Sequence, residues 1–445
     1  MGGTIGIIAL LVAIAALMYL CYNNVSTVFV CVVCSLFIAI FNNLPVWGAI
    51  GETFVAGFAG TVQSYVLIFM ASAAYATIME SSGATITIGR TLVKFFGTKN
   101  ALIVGSLVFA VLNYGGISLW VVMFAAGPIL YYLFNEADIP RHFCMACLSI
   151  GAITWTMTCL PGSTALTNVI PTQYLGTTLT AAPVLSIIAT IMLMIMQYFY
   201  LKFALKKSRD AGEHWEFPEG YDPARYNDQD TSKTPGVAQA FAPIVLLLVM
   251  IIGSNIAKLP IASNSTLLVV LSMACAFILC LVLNHKYMDK KALEVVGKGC
   301  ISGFTAMIGL CALVGFGRVV QSTEAFQSVV QWLLGLDISI YFKGVVSSAT
   351  IAGITASSSG GVRIALESLG DYFVNSGCNL GILHRLMSIA AGTLDSLPQS
   401  SGWPAMFAFF GLTFKQGYKH CFWISVVMPA IVVIILTIAV TVLGF

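Results

Sequence analysis

Residues 4–20 read TIGIIALLVAIAALMYL, an apolar run without a single charged side chain. Comparable runs occur at 24–41, 181–201, 238–253, 265–284 and 421–443. Each is close to the roughly 20 residues that a helix needs to cross the hydrocarbon core of a bilayer. Backbone groups in lipid must be hydrogen-bonded internally, and these runs lack the period-2 alternation of a barrel strand. The sequence therefore predicts an all-α polytopic membrane protein, with the lipid bilayer as its main solvent.

The overall composition supports this fold class. Of the 445 residues, 58% are hydrophobic and 9% are charged, whereas about a quarter of the residues in a soluble domain are charged. The net charge of +3 comes without a basic patch interleaved with aromatic residues, so we expect no nucleic-acid partner. The 12 cysteines are spread through apolar segments, where packing accounts for them. We expect no metal site, no disulfide framework and no cofactor.

A long hydrophilic segment, residues 202–235, divides the chain into halves of roughly equal length. When the halves are laid over one another, several short features match in the same order. These are Met79-Glu80-Ser81 with Val320-Gln321-Ser322, Gly115-Gly116 with Gly360-Gly361, His142 with His384, and Leu160-Pro161 with Leu397-Pro398. Duplicated halves are typical of secondary transporters. We therefore divide the chain into a first transmembrane repeat (1–206), a linker (207–236) and a second, inverted repeat (237–445).

Orientation follows from basic residues near the ends of the spans, which favour the cytoplasmic side. A basic cluster lies at the end of the first repeat and consists of Lys202, Lys206, Lys207 and Arg209. This cluster predicts that the linker lies in the cytoplasm. The amphipathic stretch 84–100 carries three more basic residues and predicts a helix lying along the cytoplasmic surface. Its counterpart, 325–339, has no Lys or Arg. An inverted second repeat explains this asymmetry, because it would place that helix on the outer surface.

Each half then contains two interruptions of apolar sequence. Segments 101–134 and 341–373 are broken at 113–118 and 355–361, where glycine pairs make it easy for a helix to end. We interpret both as re-entrant hairpins. Proline-containing breaks follow at 158–164 and 395–401, where freed backbone groups are tolerated only if protein or a cavity surrounds them. A single break of either kind is more often a packing feature. Two symmetry-related pairs instead predict one central site.

Ionisable residues in apolar surroundings are functional candidates because burying them in a membrane is costly. Asp395 lies beside a break, and either couples transport to a cation or caps a helix. Glu80 and Arg318 lie near span ends, where they can extend to the surface or form pairs. Arg363 either pairs with Glu367 or meets a substrate carboxylate. His142 and His384 begin the two broken helices at the surface, and we interpret both as polar residues at helix ends.

Four stretches carry a family resemblance: PGSTALTNVIPTQYLGTTLTAAP (161–183), TASSSGGVRIALESLG (355–370), GTLDSLPQSSG (392–402) and GLTFKQGYK (411–419). They resemble the gluconate permease family of the ion transporter superfamily. The resemblance implies two inverted repeats, each with a surface helix, a re-entrant hairpin and an unwound helix, in a homodimer of the cell membrane. It also implies transport of gluconate, related sugar acids, short hydroxy acids or D-serine, typically with protons.

Carried over by position, the resemblance implies that the hairpin tips and the breaks bind the substrate and that Asp395 couples the cation. The implied substrate-binding residues are Asn113, Gly115, Gly116, Ser118, Gly162, Ser163, Thr164, Asn168, Ser357, Ser358, Ser359, Gly360, Gly361, Gln399, Ser400 and Ser401. Gln399 stands where a histidine is expected more often, and this non-titrating amide is a departure that bears on the family's proton coupling or its substrate preference. The hydroxyl-rich tip, Ser357 to Ser359, leaves Na⁺ open beside H⁺ as the coupling ion.

The sequence thus favours a cation-coupled symporter of a small organic anion that works by alternating access. A sodium-coupled carboxylate transporter and a passive anion channel are the alternatives within membrane transport. An enzyme is not expected, because the chain has neither an HExxH motif nor a GxSxG elbow nor paired intramembrane aspartates.

Overall fold

The structure, a computed structural model, describes residues 2–23, 25–114, 119–163, 165–219, 231–257, 259–263, 265–288 and 292–443. Its regular structure is helical throughout these ranges. The first nine helices are α1 Gly2–Tyr22, α2 Thr27–Phe41, α3 Gly48–Ser81, α4 Ala84–Phe96, α5 Ala101–Tyr114, α6 Leu119–Ala137, α7 Phe143–Cys159, α8 Leu166–Leu175 and α9 Pro183–Asp210. The next nine are α10 Val237–Ile256, α11 Ser265–Asn284, α12 Ala292–Gln321, α13 Glu324–Leu334, α14 Ile340–Thr355, α15 Ser358–Val374, α16 Leu380–Leu394, α17 Trp403–Phe409 and α18 Phe414–Leu443.

The described residues contain seven helices that are long and apolar enough to cross a membrane. They fall within α1, α3, α6, α9, α11, α12 and α18. The count becomes eight if α4 and α5, which meet at an angle of 100° around Gly97, are taken as one broken span. Many of the large apolar side chains on these helices are exposed, as expected where lipid is the solvent. The prediction of a multi-pass helical membrane protein is confirmed.

The described helices follow the same order in both chain halves. In each, two helices precede a long one (α3, α12), which is followed by a short amphipathic helix (α4, α13). A pair of helices and an interrupted helix come next, and a long helix of about 30 residues closes each half. This is the order predicted from the sequence. One detail differs for the predicted surface helix at 84–100, since Ala84–Gly89 are buried rather than lying on the surface.

The two halves meet along the crossing of α3 and α12, which is the most extensive helix–helix contact of the fold. Glycines make this close approach possible. A Cβ atom on Gly303 would lie 2.8 Å from the backbone oxygen of Phe69, and one on Gly315 would lie 2.8 Å from that of Phe54. The halves therefore share one tightly packed seam.

Nine of the 12 cysteines are buried, and all 12 are free thiols. The cysteines as a whole are scattered along the chain, but two pairs have C-x-x-C spacing, Cys31 with Cys34 and Cys144 with Cys147. Buried structural cysteines are chemically inert. Packing accounts for them.

Candidate functional site

The second predicted hairpin is formed by α14 and α15, which are joined only by Ala356 and Ser357. The helices pack tightly, because a Cβ on Gly361 would lie 2.4 Å from the Cα of Ala352. At about 1.5 Å per residue, each helix is about 24–26 Å long, which is less than the roughly 30 Å hydrocarbon core. Ala356 has a positive φ of 54°, and the Ser357 hydroxyl accepts a hydrogen bond from the Gly360 amide. The pair is a tight hairpin with a hydroxyl-rich tip.

Asp395 connects this tip to the break after α16. Its side chain is buried, and its carboxylate accepts hydrogen bonds from the Ser358 backbone amide (3.0 Å) and the Ser396 hydroxyl (3.1 Å). Ser358 is the first residue of α15, so the carboxylate caps the N-terminus of a helix, where negative charge is favourable. The helix that it caps is therefore the second hairpin helix, not its own.

Gln399 holds the same hairpin from the other side. Its Nε2 donates to the backbone oxygen of Gly353 at 2.8 Å, while its buried Oε1 has no hydrogen-bond partner among the described residues. The Ser401 amide donates to the oxygen of Ala356 at 3.3 Å. The break thus contacts the hairpin tip through a carboxylate, an amide and backbone groups. The neighbouring Ser400 is buried, while Ser359 and Gly360 are half-buried.

The first half brings a corresponding break and helix end together. Asn113, near the end of α5, accepts a hydrogen bond from the Thr156 hydroxyl at 2.6 Å. The Tyr114 hydroxyl donates to the backbone oxygen of Pro161 at 2.8 Å. The second part of α7, Ser149–Cys159, is wound as a π-helix, a form frequent at functional sites. Of the predicted residues here, Gly115, Gly116, Ser118 and Thr164 lie outside the described residues.

Gly162 and Ser163 continue the break after α7. Gly162 has a φ of +81°, and its amide donates to the backbone oxygen of Leu179 at 2.9 Å. Ser163 is buried and its hydroxyl accepts from the Ala165 amide. Asn168, also fully buried, donates to the backbone oxygens of Ser163 (2.7 Å) and Leu179 (2.9 Å). Its amide nitrogen therefore braces this break.

The oxygen of Asn168 faces the second half of the chain. Oδ1 accepts from Nη2 of Arg385 at 2.8 Å and lies 3.0 Å from Nε2 of His384. Nη1 of Arg385 donates to the backbone oxygen of Thr158 at 3.0 Å. Because Asn168 Oδ1 can only accept, His384 carries its proton on Nε2, and its Nδ1 accepts from Thr177 at 2.7 Å. Two side chains of α16 thus bind the break after α7.

Arg385 is a fully buried cation that sequence reasoning missed. Its Nε has no hydrogen-bond partner, and no carboxylate lies within ion-pair distance of it, among the described residues. A charged residue at position 385, in the largely apolar run 380–394, was the available signal. The interpretation of His384 as a surface residue at a helix end was wrong. That histidine is completely buried because it packs against the break in the other half.

The two breaks lie side by side because α7 and α16 cross closely. A Cβ on Gly392 would lie 2.7 Å from Cγ2 of Thr158. The structure therefore gathers the described parts of both breaks and the second hairpin tip around one crossing. Arg363 and Glu367 are exposed outside this cluster, and Glu367 accepts a hydrogen bond from Tyr174. His142 lies elsewhere, at the end of the molecule that carries the linker.

Two interrupted helices that cross beside a hairpin tip, with buried polar groups at the crossing, are typical of secondary transporters. The sequence profile of the GntP family permeases matches residues 5–443. The chain belongs to the GntP permease family. It is also similar to the uncharacterized transporter YxjC of Bacillus subtilis strain 168, with 27% identity covering 97% of this chain and 98% of that protein. The chain is thus a transporter and not an enzyme, as the sequence predicts.

Proposed function

We propose that this permease is a cation-coupled symporter that carries a small organic acid anion, with the proton as the coupling ion. The substrate class is gluconate, a related sugar acid, a short hydroxy acid or D-serine. The observation that carries the proposal is the buried Asp395 carboxylate, which holds the hairpin tip through the Ser358 amide. A proton on this carboxylate removes the charge that favours the helix N-terminus. Its protonation state therefore sets how firmly the break holds the tip.

Arg385 supplies the complementary charge. A buried guanidinium without a carboxylate partner is costly, and an anion bound beside the break would offset that cost. Substrate and cation thus each have an oppositely charged group: Arg385 lies on α16 and Asp395 lies directly after the end of that helix. A ligand shifts the equilibrium between two states only through its different affinity for them. Anion and proton together stabilise the loaded state, and this coupling drives alternating access.

The residues at the crossing have two roles, substrate contact and support of the first break. The break and tip residues that contact substrate are Asn113, Gly115, Gly116, Ser118, Gly162, Ser163, Thr164, Ser357, Ser358, Ser359, Gly360, Gly361, Gln399, Ser400 and Ser401. Gln399 is the best-supported of these residues, because its Oε1 has no hydrogen-bond partner among the described residues and can accept a hydrogen bond from a substrate hydroxyl. Asn168, whose amide atoms are all bonded to protein, keeps the first break in shape beside them.

We further propose the architecture that this mechanism needs. Residues 1–206 and 237–445 are inverted repeats joined by a cytoplasmic linker at 207–236, and the protein works as a homodimer in the cell membrane. The matched helix order of the two halves supports the repeat. In this arrangement the helix pairs α5–α6 and α14–α15 enter as re-entrant hairpins from opposite faces, as inverted repeats require, although α6 is by length and composition also able to cross the membrane.

Uptake into proteoliposomes tests the function. Labelled gluconate, 3-hydroxybutyrate and D-serine are offered first under an imposed proton gradient and then under a sodium gradient. We expect proton-driven accumulation of at least one acid by the wild type and none by Asp395→Asn, which removes the titratable group while keeping its shape. Asp371→Asn is the matched control, because Asp371 is an exposed carboxylate on α15. It should accumulate substrate as the wild type does.

The other outcomes separate the alternatives. Accumulation driven by sodium and retained in Asp395→Asn would move the coupling to the hydroxyls of the hairpin tip. Gradient-independent equilibration of all three acids would contradict symport and favour a passive anion channel. Failure to take up any of them, in a folded preparation, would overturn the proposed substrate class.

A further inference from the structure

A crevice opens on the outside of the bundle between α5 and α9. Both helices pack on the second part of α7, and the space between them has a volume of about 240 Å³. Its lining is mainly apolar and includes Ile103 and Leu107 of α5, Ile150 and Trp155 of α7, and Met194 and Tyr198 of α9. Leu107, Met194 and Tyr198 are between 36% and 40% exposed, so the crevice is open to the surrounding lipid. None of the residues in its lining is assigned to substrate or cation.

The polar groups at the base of the crevice are already hydrogen-bonded within the protein. Trp155 Nε1 donates to Gln197 Oε1 at 2.7 Å, and Gln197 Nε2 donates to the Thr154 hydroxyl at 3.0 Å. The Ser106 hydroxyl donates to the backbone oxygen of Leu102 at 2.9 Å. A polar molecule that entered would therefore lose hydrogen bonds to water without regaining them. The base of the crevice favours an apolar occupant.

One end of the crevice lies at the end of the molecule that carries the linker. The first turn of α5 lies beside the start of α7, because the Cys147 thiol donates to the backbone oxygen of Leu102. The last turn of α9 lies there too, because Glu213, just beyond that helix, is 3.0 Å from His142. The start of α5 and the end of α9 therefore flank the same end of the crevice.

Exposed lysines occupy both of these helix ends. Lys99 lies four residues, or about one turn, before Ile103. Lys202 lies four residues after Tyr198, and its Nζ is 5.0 Å from the centre of the Tyr198 ring. This cation–π contact keeps the ammonium group beside a residue that lines the crevice. The apolar crevice thus has a positively charged end.

The distance from the lysines to the crevice matches the dimensions of a phospholipid. Leu107 lies eight residues after Lys99 on the same helical segment. Met194 lies the same number of residues before Lys202 on α9. At about 1.5 Å per residue, each of these spacings is about 12 Å, which is less than the roughly 15 Å of hydrocarbon in one leaflet. A lipid whose phosphate lies beside the lysines can therefore place an acyl chain along the whole crevice.

We propose that this crevice binds an acyl chain of one anionic phospholipid, whose phosphate pairs with Lys99 and Lys202. Basic pockets between membrane helices recognise anionic head groups in this way. Packing of a second copy of the chain through the same face would instead bring the lysines of both copies together, and like charges repel.

The bound lipid would support the interrupted helix α7. Its acyl chain would lie against Trp155, and the next residue, Thr156, donates the hydrogen bond to Asn113 at the first break. Any effect of the lipid on transport rests on the proposed function, whereas its binding does not.

Native mass spectrometry of the full-length protein in detergent tests the head-group preference. The protein is titrated with dioleoylphosphatidylglycerol or with dioleoylphosphatidylcholine, which have the same acyl chains. We expect the first phosphatidylglycerol to bind about tenfold more tightly or better, since each nearby basic residue contributes roughly fivefold. Lys202→Gln should weaken that binding by roughly fivefold and leave phosphatidylcholine unaffected. Lys207→Gln is the matched control, because Lys207 is exposed on α9 but lies about 140° around the helix from Lys202.

A second pair of variants tests whether the lipid occupies the crevice itself. Met194→Trp fills the crevice and should abolish the tight phosphatidylglycerol site. Ile195→Trp is its matched control, because Ile195 is 53% exposed and does not line the crevice. Unchanged unfolding temperatures verify that the variants are folded.

Three results would overturn the proposal. The first is equal affinity for the two lipids, and the second is tight phosphatidylglycerol binding that survives in Met194→Trp. The third is loss of a dimer in Met194→Trp with an unchanged number of bound lipids, which would assign the crevice to a second copy of the chain. None of these readouts requires substrate, so they are independent of the transport assay.

Discussion

At the scale of single residues, two side chains of opposite charge are buried near the crossing of α7 and α16. Arg385 is a buried cation bonded to a carbonyl and an amide, whereas Asp395 is a buried carboxylate at a helix N-terminus. Hydrogen bonds to charged groups are worth about 1.5–3 kcal/mol, and leaving one partner unsatisfied costs more than the bond contributes. These two residues therefore determine the electrostatics of the proposed site.

Replacement of Arg385 tests its role as the counter-charge of the substrate. Arg385→Gln should raise the KM for the transported acid by about tenfold or more, which corresponds to ~1.4 kcal/mol of lost binding. Arg385→Lys keeps the charge but loses the planar fork, so it should restore part of the affinity. Concentration-dependent uptake measures both effects. Arg363→Gln, at an exposed position on α15, should leave the KM unchanged. If the Gln and Lys variants behaved alike, the charge would not be the determinant.

At the scale of helices, small residues decide how closely the interrupted segments approach one another. Gly392 allows α16 to cross α7 at Thr158, and Gly361 allows α15 to pack on α14. Protein interiors are close-packed, so an added methyl group in such a contact forces a displacement. The crossing brings the two breaks together, and its geometry should therefore control transport.

A pair of substitutions at this crossing can be made to compensate for each other. Gly392→Ala places a methyl group 2.7 Å from Cγ2 of Thr158, so we expect slower uptake and a lower unfolding temperature. Thr158→Ser removes that methyl group but keeps the hydroxyl, which donates to the backbone oxygen of Thr154. The double variant should recover much of the loss, and a double-mutant cycle measures the coupling. Additive effects of the two substitutions would contradict direct contact.

At the scale of the whole molecule, the seam of α3 and α12 holds the halves together. Gly303→Ala would place a Cβ 2.8 Å from the backbone oxygen of Phe69, and we expect it to lower the unfolding temperature in detergent. Gly297 lies on the same helix with open space around it. Gly297→Ala should be neutral or stabilising, because alanine is favoured over glycine in a helix by about 1 kcal/mol. Equal effects of both substitutions would exclude the seam as the cause.

Hydropathy and glycine pairs predict the fold class, the order of the helices and the position of the breaks, because these features are local in the sequence. The contacts between halves are not local. His384 looks like a residue at a helix end, and its burial becomes evident only once Asn168 is placed beside it. The role of Arg385 could not be predicted for the same reason, since its hydrogen-bond partners are more than 200 residues away in the sequence.

The positive φ of Ala356 at the hairpin tip has an energetic consequence. A residue with a Cβ pays about 1–2 kcal/mol to adopt the left-handed conformation. The hydrogen bond from the Ser401 amide to the Ala356 oxygen helps to keep it there. The tip is therefore under a small conformational strain while the break holds it. When the tip and the break separate, loss of this strain favours the separated state by up to about tenfold in population, since ~1.4 kcal/mol corresponds to that factor.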